Sequence, residues 1–234
     1  MPTLTYRQVI SLSHPIHPGM PRWAGDPAVE METIALWPIE GYYLRRIVMG
    51  EHSATHMNAP KSFFPDGMGI EEYVPDSLIL PAIVVDGRSK TSLTPDYCLQ
   101  RDDLLAWEAQ HGSIPAGSLV IFWTGWQDKW LDTQAFFNQD AEGVCHFPGF
   151  AIAATEFLVQ ERAIAGIGID THGVDPSTDP TFPVNRLVLG QQGIVLENLT
   201  HLDQLPATGS TIAIGLLPLI GGSGSPVSVL AFLP

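Results

Sequence analysis

Two histidines four residues apart, His52 and His56, have the clearest capacity for chemistry in this chain. Positions four apart lie on one face of a helical turn, so both imidazoles could converge on one metal ion. Neutral imidazole suits zinc and also copper, iron or nickel. Gly50 and Pro60 bracket the pair, which favours a short turn in a loop over a long helix. Asn58 follows two residues later and adds an amide oxygen.

The residues around this pair form a longer motif. The pattern His-x-Gly-Thr-His-x-Asp-x-Pro-x-His-Phe is matched at His52, Thr55, His56, Pro60 and Phe63. The stretch therefore resembles the signature of the cyclase family, the group that includes bacterial kynurenine formamidases and isatin hydrolases. It departs from that signature at three positions, where Ala54 stands for the glycine, Asn58 for the aspartate and Ser62 for the last histidine.

The resemblance extends over nearly the whole chain. The loop at 12–27 looks like the opening of the family pattern. Segments 168–171, 182–186 and 196–199 look like its second half, and 215–219 looks like its closing pattern. The resemblance implies that the chain forms a homo-oligomer, as the family does.

A metal site is also implied by the resemblance. His52 and His56 match the first two metal ligands of the family, and Glu197 falls where a glutamate contacts the metal. Asn58 stands for a bridging aspartate, and Asn185 stands for a histidine that binds a second ion. Two histidines and one carboxylate remain, a set that suits one divalent ion with an open position for water. We expect His52, His56, Asn58 and Glu197 to hold one zinc or manganese ion.

Asn58, Glu197 and a further candidate, His172, also have ordinary structural explanations. Asn58 could be a turn-forming loop residue. Glu197 lies among apolar neighbours, and a buried carboxylate needs a cation or several hydrogen bonds, so an ion pair with Arg186 is an alternative to metal binding. His172 follows Asp170 at the end of a buried strand, a common position for functional loops. It could replace the family's proton carrier, or it could be a hydrogen-bonded structural histidine.

The remaining candidates concern catalysis and substrate binding. Ser62 occupies the family's catalytic position but lacks the Gly-x-Ser-x-Gly elbow and the neighbouring base of a serine nucleophile. Ser62 and His172 are therefore the catalytic candidates. Trp23 lies in a proline-rich loop that the family uses near its pocket, and Phe63 adjoins the motif. With Asn185 they are the substrate-binding candidates, and they permit an aromatic ligand.

Composition and charge argue against several classes of partner. The formal charge is −14 with only 11 Lys and Arg residues, and phosphate contacts need clustered basic residues, so we expect no nucleic-acid partner. No apolar stretch approaches the ~20 residues that span a bilayer, so we expect no membrane partner. The start lacks a secretory pattern, and Cys98 and Cys145 give no disulfide framework. These features predict a cytoplasmic protein.

Hydrophobic patterns predict more strands than helices. Strands are expected at 6–12, 30–36, 43–49, 82–86, 118–123, 165–170, 194–199 and 211–217. The second and third of these suit half-buried strands. Helices are expected at 94–110 and 151–162. The pattern predicts an α/β protein, and the absence of a linker favours a single domain at 1–234. The resemblance implies mixed β-sheets with flanking helices, of the swivelling β/β/α type.

Two functions are compatible with these features. The first is a metal-dependent hydrolase of a small amide, lactam, lactone or ester, in which the ion activates water and polarises a carbonyl. The second is a family member that has lost hydrolysis. Such a protein would bind a small ligand or catalyse a cyclisation or dehydration in a biosynthetic pathway. Either function predicts a small-molecule partner.

Overall fold

A mixed β-sheet that closes on itself forms the centre of the structure, a computed structural model that describes residues 3–234. The strands are β1 (Gln8–Ser11), β2 (Glu30–Ala35), β3 (Leu44–Val48), β4 (His56–Asn58), β5 (Ile79–Asp86), β6 (Cys98–Leu99), β7 (Leu119–Trp123), β8 (Gly149–Phe150), β9 (Gly166–Ile169), β10 (Ile194–Glu197), β11 (Ser210–Leu216) and β12 (Gly224–Leu233). The main sheet has the order β1-β12-β11-β5-β7-β9-β10-β4. The predicted α/β class with mixed sheets is confirmed.

The ring closes because the longest strand has two neighbours on one edge. Strand β12 pairs with β11 on one side, and on the other side with β1 near its end and β4 near its start. Strand β4 then pairs with β10, which completes a ring of seven strands. Strands β5, β7, β9 and β10 run parallel, and the other pairs in the ring are antiparallel.

Two hydrophobic cores lie on opposite faces of this sheet. Along β5, Ala82 and Val84 belong to one core, whereas Ile83 and Val85 belong to the other, as alternation along a strand requires. The second core packs against the helices. Every residue of β7 is buried, which explains why the apolar run there is continuous instead of alternating.

The helices are short and lie mainly between strands. They are α1 (Trp37–Glu40), α2 (Arg88–Thr91), α3 (Arg101–His111), α4 (Thr133–Phe137), α5 (Ile152–Glu156) and α6 (Pro183–Leu189). The prediction of a helix over 94–110 was wrong in its start, because α3 begins at Arg101. The Asp103 carboxylate accepts a hydrogen bond from the Gln100 N–H at 2.8 Å. Gln100 is therefore the N-cap, and Arg101 is the first residue of the helix. The helix predicted at 151–162 is α5 followed by a π-helical turn, Phe157–Glu161.

Strands β2 and β3 form a separate two-stranded ribbon. The prediction that both strands are half-buried was wrong. All five residues of β3 are exposed, and β2 has one buried residue, Ala35. The alternation in the sequence marked the strands correctly, but burial depends on what covers a strand, and the described residues leave most of this ribbon exposed.

Asp170, just beyond β9, joins two loops of the sheet. Its carboxylate accepts hydrogen bonds from the Thr124 N–H at 2.9 Å, the Thr124 hydroxyl at 2.8 Å and the Gln127 N–H at 3.1 Å. Burial raises the pKa of Asp170 to about 6. Cys98 and Cys145 are free thiols. Within residues 3–234, every helix is too short or too polar to cross a membrane.

The buried ring of His14 should make stability pH-dependent. Burial, with a smaller effect of His201, lowers the pKa of His14 to about 4. The unfolded chain then binds a proton on His14 below pH ~6.5, whereas the folded chain binds it only near pH 4. The free energy of unfolding therefore falls as pH drops through this window. We expect a contribution of roughly 3 kcal/mol. His14 stacks on Trp130 with ring centroids 4.0 Å apart, so His14→Phe keeps the stack.

Denaturant unfolding between pH 4 and 7 checks this expectation. The His14→Phe variant should lose less stability on acidification than the parent protein. The exposed His111, changed to Phe, is the control and should leave the dependence of the free energy of unfolding on pH unchanged. Equal slopes for the parent and the His14→Phe variant would contradict the assignment.

Candidate functional site

One cavity of about 620 Å³ contains the candidate residues from the sequence. Its lining includes Trp23, His52, His56, Asn58, Ser62, Phe63, His172, Asn185 and Glu197. These residues come from widely separated parts of the chain, and the fold brings all nine to one place. Their individual roles stay predictions.

The centre of the site is a pair of side chains on neighbouring strands. His56 on β4 lies directly opposite Glu197 on β10 in the antiparallel ladder. Their side chains meet at 2.9 Å between Nε2 and Oε2, and both are buried. The other ring nitrogen, Nδ1, lies 2.9 Å from the carbonyl oxygen of Ala54, which can only accept a hydrogen bond. Nδ1 therefore carries a proton, and Nε2 faces the carboxylate.

The turn that carries His52 differs from the expected one. The prediction that both histidines share a face of a helical turn was wrong, because His56 lies on β4. The chain instead reverses at Ala54, whose φ of 55° is left-handed. The family pattern has glycine at this position, which adopts such a φ more readily than alanine. The two imidazoles still come together, with ring centroids 5.3 Å apart.

The imidazole of His52 is held from three sides. Its Nδ1 lies 2.8 Å from Oδ1 of Asn58, and its Nε2 lies 3.0 Å from Oγ of Ser223. Gly224 leaves room for the ring, because a Cβ there would lie 2.7 Å from Cε1 of His52. Burial, and then the proximity of His56, lowers the pKa of His52.

Two asparagines form a chain of hydrogen bonds through the site. The amide nitrogen of Asn185 lies 2.8 Å from Oδ2 of Asp175 and 3.3 Å from Oε1 of Glu197. Carboxylates only accept, so these contacts fix which end of the Asn185 amide is nitrogen. Its oxygen accepts from the Asn58 amide nitrogen at 3.0 Å, which turns the Asn58 oxygen towards His52. We call Asp175, Asn185 and Asn58 the amide relay.

Glu197 has no ion pair with Arg186, so that alternative was wrong. The Arg186 guanidinium donates to the carbonyl oxygens of Thr181 and Phe63. Glu197 accepts instead from His56, Asn185 and the N–H of Val174, the last at 3.1 Å. Burial alone would raise the pKa of Glu197, but the hydrogen bond from His56 and the nearby histidines hold it below its usual value.

Asp175 is a buried, cavity-lining residue that sequence reasoning missed. Its Oδ1 accepts from the Val184 N–H at 2.6 Å, so it anchors the first turn of α6 and presents Asn185. Burial raises the pKa of Asp175 to about 6, and the charge of Glu197 adds to the rise. The signal in the sequence was an Asp-Pro step a few residues beyond the strand that ends near Asp170.

Ser62 lines the cavity, but its hydroxyl donates to the carbonyl oxygen of Ser223. No base activates it there. Phe63 lies near Phe182, with ring centroids 5.5 Å apart, and forms part of the apolar wall. Trp23 also lines the cavity, with its ring centroid 6.3 Å from that of Phe147 and 5.2 Å from that of His172. The cavity is therefore aromatic around a polar centre.

His172 is held by a residue that the sequence did not single out. The Asn198 amide nitrogen lies 3.2 Å from Nδ1 of His172 and 2.9 Å from the carbonyl oxygen of Ala54. Asn198 follows Glu197, and its φ of 57° turns the chain back towards Thr171, whose carbonyl oxygen accepts from the Asn198 N–H. Burial, and then the proximity of His56, lowers the pKa of His172 to about 4.

The predicted metal ligands meet some requirements of an ion site. No three His, Cys, Asp or Glu side chains within the described part of the chain are grouped closely enough to hold an ion unaided. The states of the donors nevertheless suit a cation, because His52 and Glu197 favour their unprotonated forms and the Asn58 oxygen faces His52. The contact from Nδ1 of His56 to a backbone carbonyl is the outer contact typical of metal-binding histidine.

The chain is similar to several known proteins. The Cyclase family model matches residues 10–176. The isatin hydrolase of Roseibium aggregatum is 33% identical over 223 residues, which cover 89% of this chain and 82% of that protein. The kynurenine formamidase of Paracidovorax citrulli is 25% identical over 98% of this chain and 99% of its own length. The structure of isatin hydrolase A from Ralstonia solanacearum has a TM-score of 0.89 at 32% identity, with 97% of this chain and 92% of that chain covered.

Proposed function

Because the chain belongs to the cyclase family, we propose that it is a metal-dependent hydrolase that opens a small aromatic lactam or amide. The buried contact between His56 and Glu197, inside an aromatic cavity, is the observation that carries this function. The relatives named isatin hydrolase and kynurenine formamidase support a cyclic or formyl amide as the substrate. The non-hydrolytic alternative is not favoured.

We propose that His52, His56, Asn58 and Glu197 hold one divalent ion, with zinc and manganese as the candidates. Hydrolases of the cyclase family are metal-dependent. When bound, such an ion polarises the substrate carbonyl and lowers the pKa of water. The Asn58 oxygen adds a neutral ligand. The residues of the amide relay hydrogen-bond to one another in the region where the family pattern places ligands of a second ion.

The residues of the chain supply the proton transfers in this proposal. Hydrolysis adds a water oxygen to the carbonyl carbon, breaks the C–N bond and delivers a proton to the nitrogen. Glu197 accepts the water proton and passes it to the leaving nitrogen, because it is an ionised carboxylate at the centre of the cavity. Ser62 does not take this role, since its hydroxyl is bound to a backbone carbonyl.

Hydrolysis of isatin by the protein loaded with zinc or manganese tests this function. The parent protein should open the lactam ring, and the decrease in isatin absorbance measures the rate. At equal metal content, the Glu197→Gln variant should be slower by about 10²–10⁴-fold, the usual value of a positioned acid or base. Absence of hydrolysis with either ion would contradict the proposed function, and an unimpaired Glu197→Gln variant would contradict the proton transfer.

Purified protein should contain at most one tightly bound divalent ion per subunit. Replacing His56 by Ala should remove it, because the remaining imidazole, carboxylate and neutral amide oxygen are too weak a ligand set for tight binding. Elemental analysis of protein prepared without chelator measures the content. His111→Ala, on the exposed end of α3, is the matched control and should leave the content as it is. Two ions per subunit would contradict the one-ion site.

Restoring the family residues should rebuild the second ion position. Activity on N-formylkynurenine should be low in the parent protein, because Glu197 acts there without the histidine that carries protons in the family pattern, and Ser62 in its place has no group that titrates near neutrality. Asn58→Asp, Asn185→His and Ser62→His together should give two ions and faster hydrolysis of this substrate. Each change alone should do little, since residues that act as one unit are non-additive. A triple variant with one ion and unchanged rates would show that other parts of the backbone set the chemistry.

The exposed ribbon of β2 and β3 supports a further part of this proposal, a homo-oligomer. The large exposed apolar side chains of the ribbon and of the connection between its strands are Ile34, Leu36, Trp37, Ile39, Tyr42, Tyr43, Leu44, Ile47 and Val48. A two-stranded ribbon is marginally stable alone in water, and such an apolar surface is typical of an interface. We propose that a second copy of this chain covers the ribbon, because a two-fold axis lets the same apolar surface of both copies meet. Glu32 and Arg46 are already paired with each other within the ribbon, at 3.4 Å, so they do not repel such a partner.

Light scattering after size-exclusion chromatography tests the ribbon. The parent protein should have a mass well above the 25.4 kDa of one chain, and Ile39→Glu should lower it. Leu93→Glu changes an apolar residue of similar exposure elsewhere and is the control. A monomeric parent protein, or an oligomer unaffected by Ile39→Glu, would contradict this interface.

A further inference from the structure

His172 is fixed in one tautomer by its hydrogen bonds. The Asn198 amide nitrogen donates to the carbonyl oxygen of Ala54, which can only accept, so the orientation of this amide is settled. The second proton of the same nitrogen points to Nδ1 of His172, at 3.2 Å. Nδ1 therefore accepts. In the neutral ring the single proton must lie on Nε2.

The Nε2–H of His172 has no hydrogen-bond partner among residues 3–234. The atom is buried, and the whole residue is only 7% exposed. A buried donor without a partner loses free energy relative to one that is hydrogen-bonded. The lowered pKa of His172 also means that the ring stays neutral at pH 7. This donor belongs to a residue that lines the cavity, so an entering ligand can remove the cost.

The surroundings of the ring describe the ligand that would pair with it. Trp23, Phe136 and Phe137 surround His172, with ring centroids 5.2, 6.1 and 5.7 Å away. These neighbours are flat and apolar and offer no strong acceptor. The partner of Nε2 should therefore be a single acceptor atom on an aromatic molecule, with its ring against Trp23.

We propose that His172 recognises the substrate by donating a hydrogen bond from Nε2 to a carbonyl oxygen of an aromatic lactam or amide. Asn198 is the positioning residue that holds the required tautomer. This role rests on the proposed function for the nature of the substrate. It replaces the role of proton carrier considered from the sequence, because a ring with its proton committed to substrate binding does not shuttle protons.

The test uses two variants of His172 and two small probes. His172→Phe keeps the ring shape and removes the donor, whereas His172→Gln keeps a donor of similar reach. The acceptor probe is isatinate, the ring-opened product of isatin, and the matched probe without a carbonyl is indole. Calorimetry gives the affinities, and ¹⁵N NMR of histidine-labelled protein reports the tautomer directly. Thermal unfolding shows that each variant is folded.

We expect Nε2 of His172 to be protonated in the parent protein and its resonance to move when isatinate is added. His172→Phe should weaken isatinate binding about tenfold, the usual effect of one lost hydrogen bond to a buried partner, and should leave indole binding unchanged. His172→Gln should recover part of the affinity. The KM for isatin should rise in His172→Phe more than kcat falls.

Several results would overturn the proposal. They are a proton on Nδ1, an Nε2 resonance that neither isatinate nor isatin moves, or equal affinity of the parent and His172→Phe for isatinate. A loss confined to kcat, with one limb of the pH profile missing, would instead assign His172 to proton transfer. A parent protein that binds isatinate through Nε2 without hydrolysing isatin would keep this proposal and refute the proposed function.

Discussion

The short ladder that joins β4 to β10 and β12 is the interaction on which the rest of the structure depends. Its three residues close the sheet into a ring, and the same pairing places His56 opposite Glu197. Backbone bonds on either side extend the closure, from Val227 to Thr55 and from Ala59 to Ser223. The strand that completes the fold therefore also creates the site. A change that weakens β4 should affect stability and chemistry together.

A second constraint is the cost of burying polar groups. The region contains Asp175, Glu197 and several amides away from water, and each must be paired or lose free energy. The amide relay meets this requirement by pairing carboxylate oxygen, amide nitrogen and amide oxygen in one consistent direction. Two departures from the family pattern, Asn58 and Asn185, thus form a coherent pair. Their neutral amides hydrogen-bond to each other where the family pattern has an aspartate and a histidine that bind ions.

The positions of Ala54 and Asn198 show how backbone conformation serves the site. Both are left-handed, with φ of 55° and 57°. The first turn aims the Ala54 carbonyl at His56 and Asn198, and the second brings the Asn198 side chain between Ala54 and His172. Two strained residues therefore set the tautomers of two histidines. Strain of this kind persists where the surrounding structure compensates for it, and functional sites are common places for it.

Local patterns in the sequence determined the strands and the motif residues of this protein. The apolar runs at 82–86 and 118–123 marked β5 and β7 because burial on both faces leaves only apolar side chains there. Residue type and spacing marked His52 and His56, and the resemblance to the family pattern marked Glu197. The Gly-Ser start of β12 hid the longest strand, since its β propensity is low and its pairing supplies the stability.

The tertiary structure alone decided which side chains are partners. Asn58 meets Asn185 across 127 positions of the chain, and Ala54 meets Asn198 across 144. No local pattern encodes such contacts, because hydrogen bonds depend on where each strand ends in space. The exposure of the ribbon was likewise undetermined, since alternation describes a strand but not what covers it. The sequence by itself named the chemical groups of this site, and the closure of the sheet chose their partners, protonation and orientation.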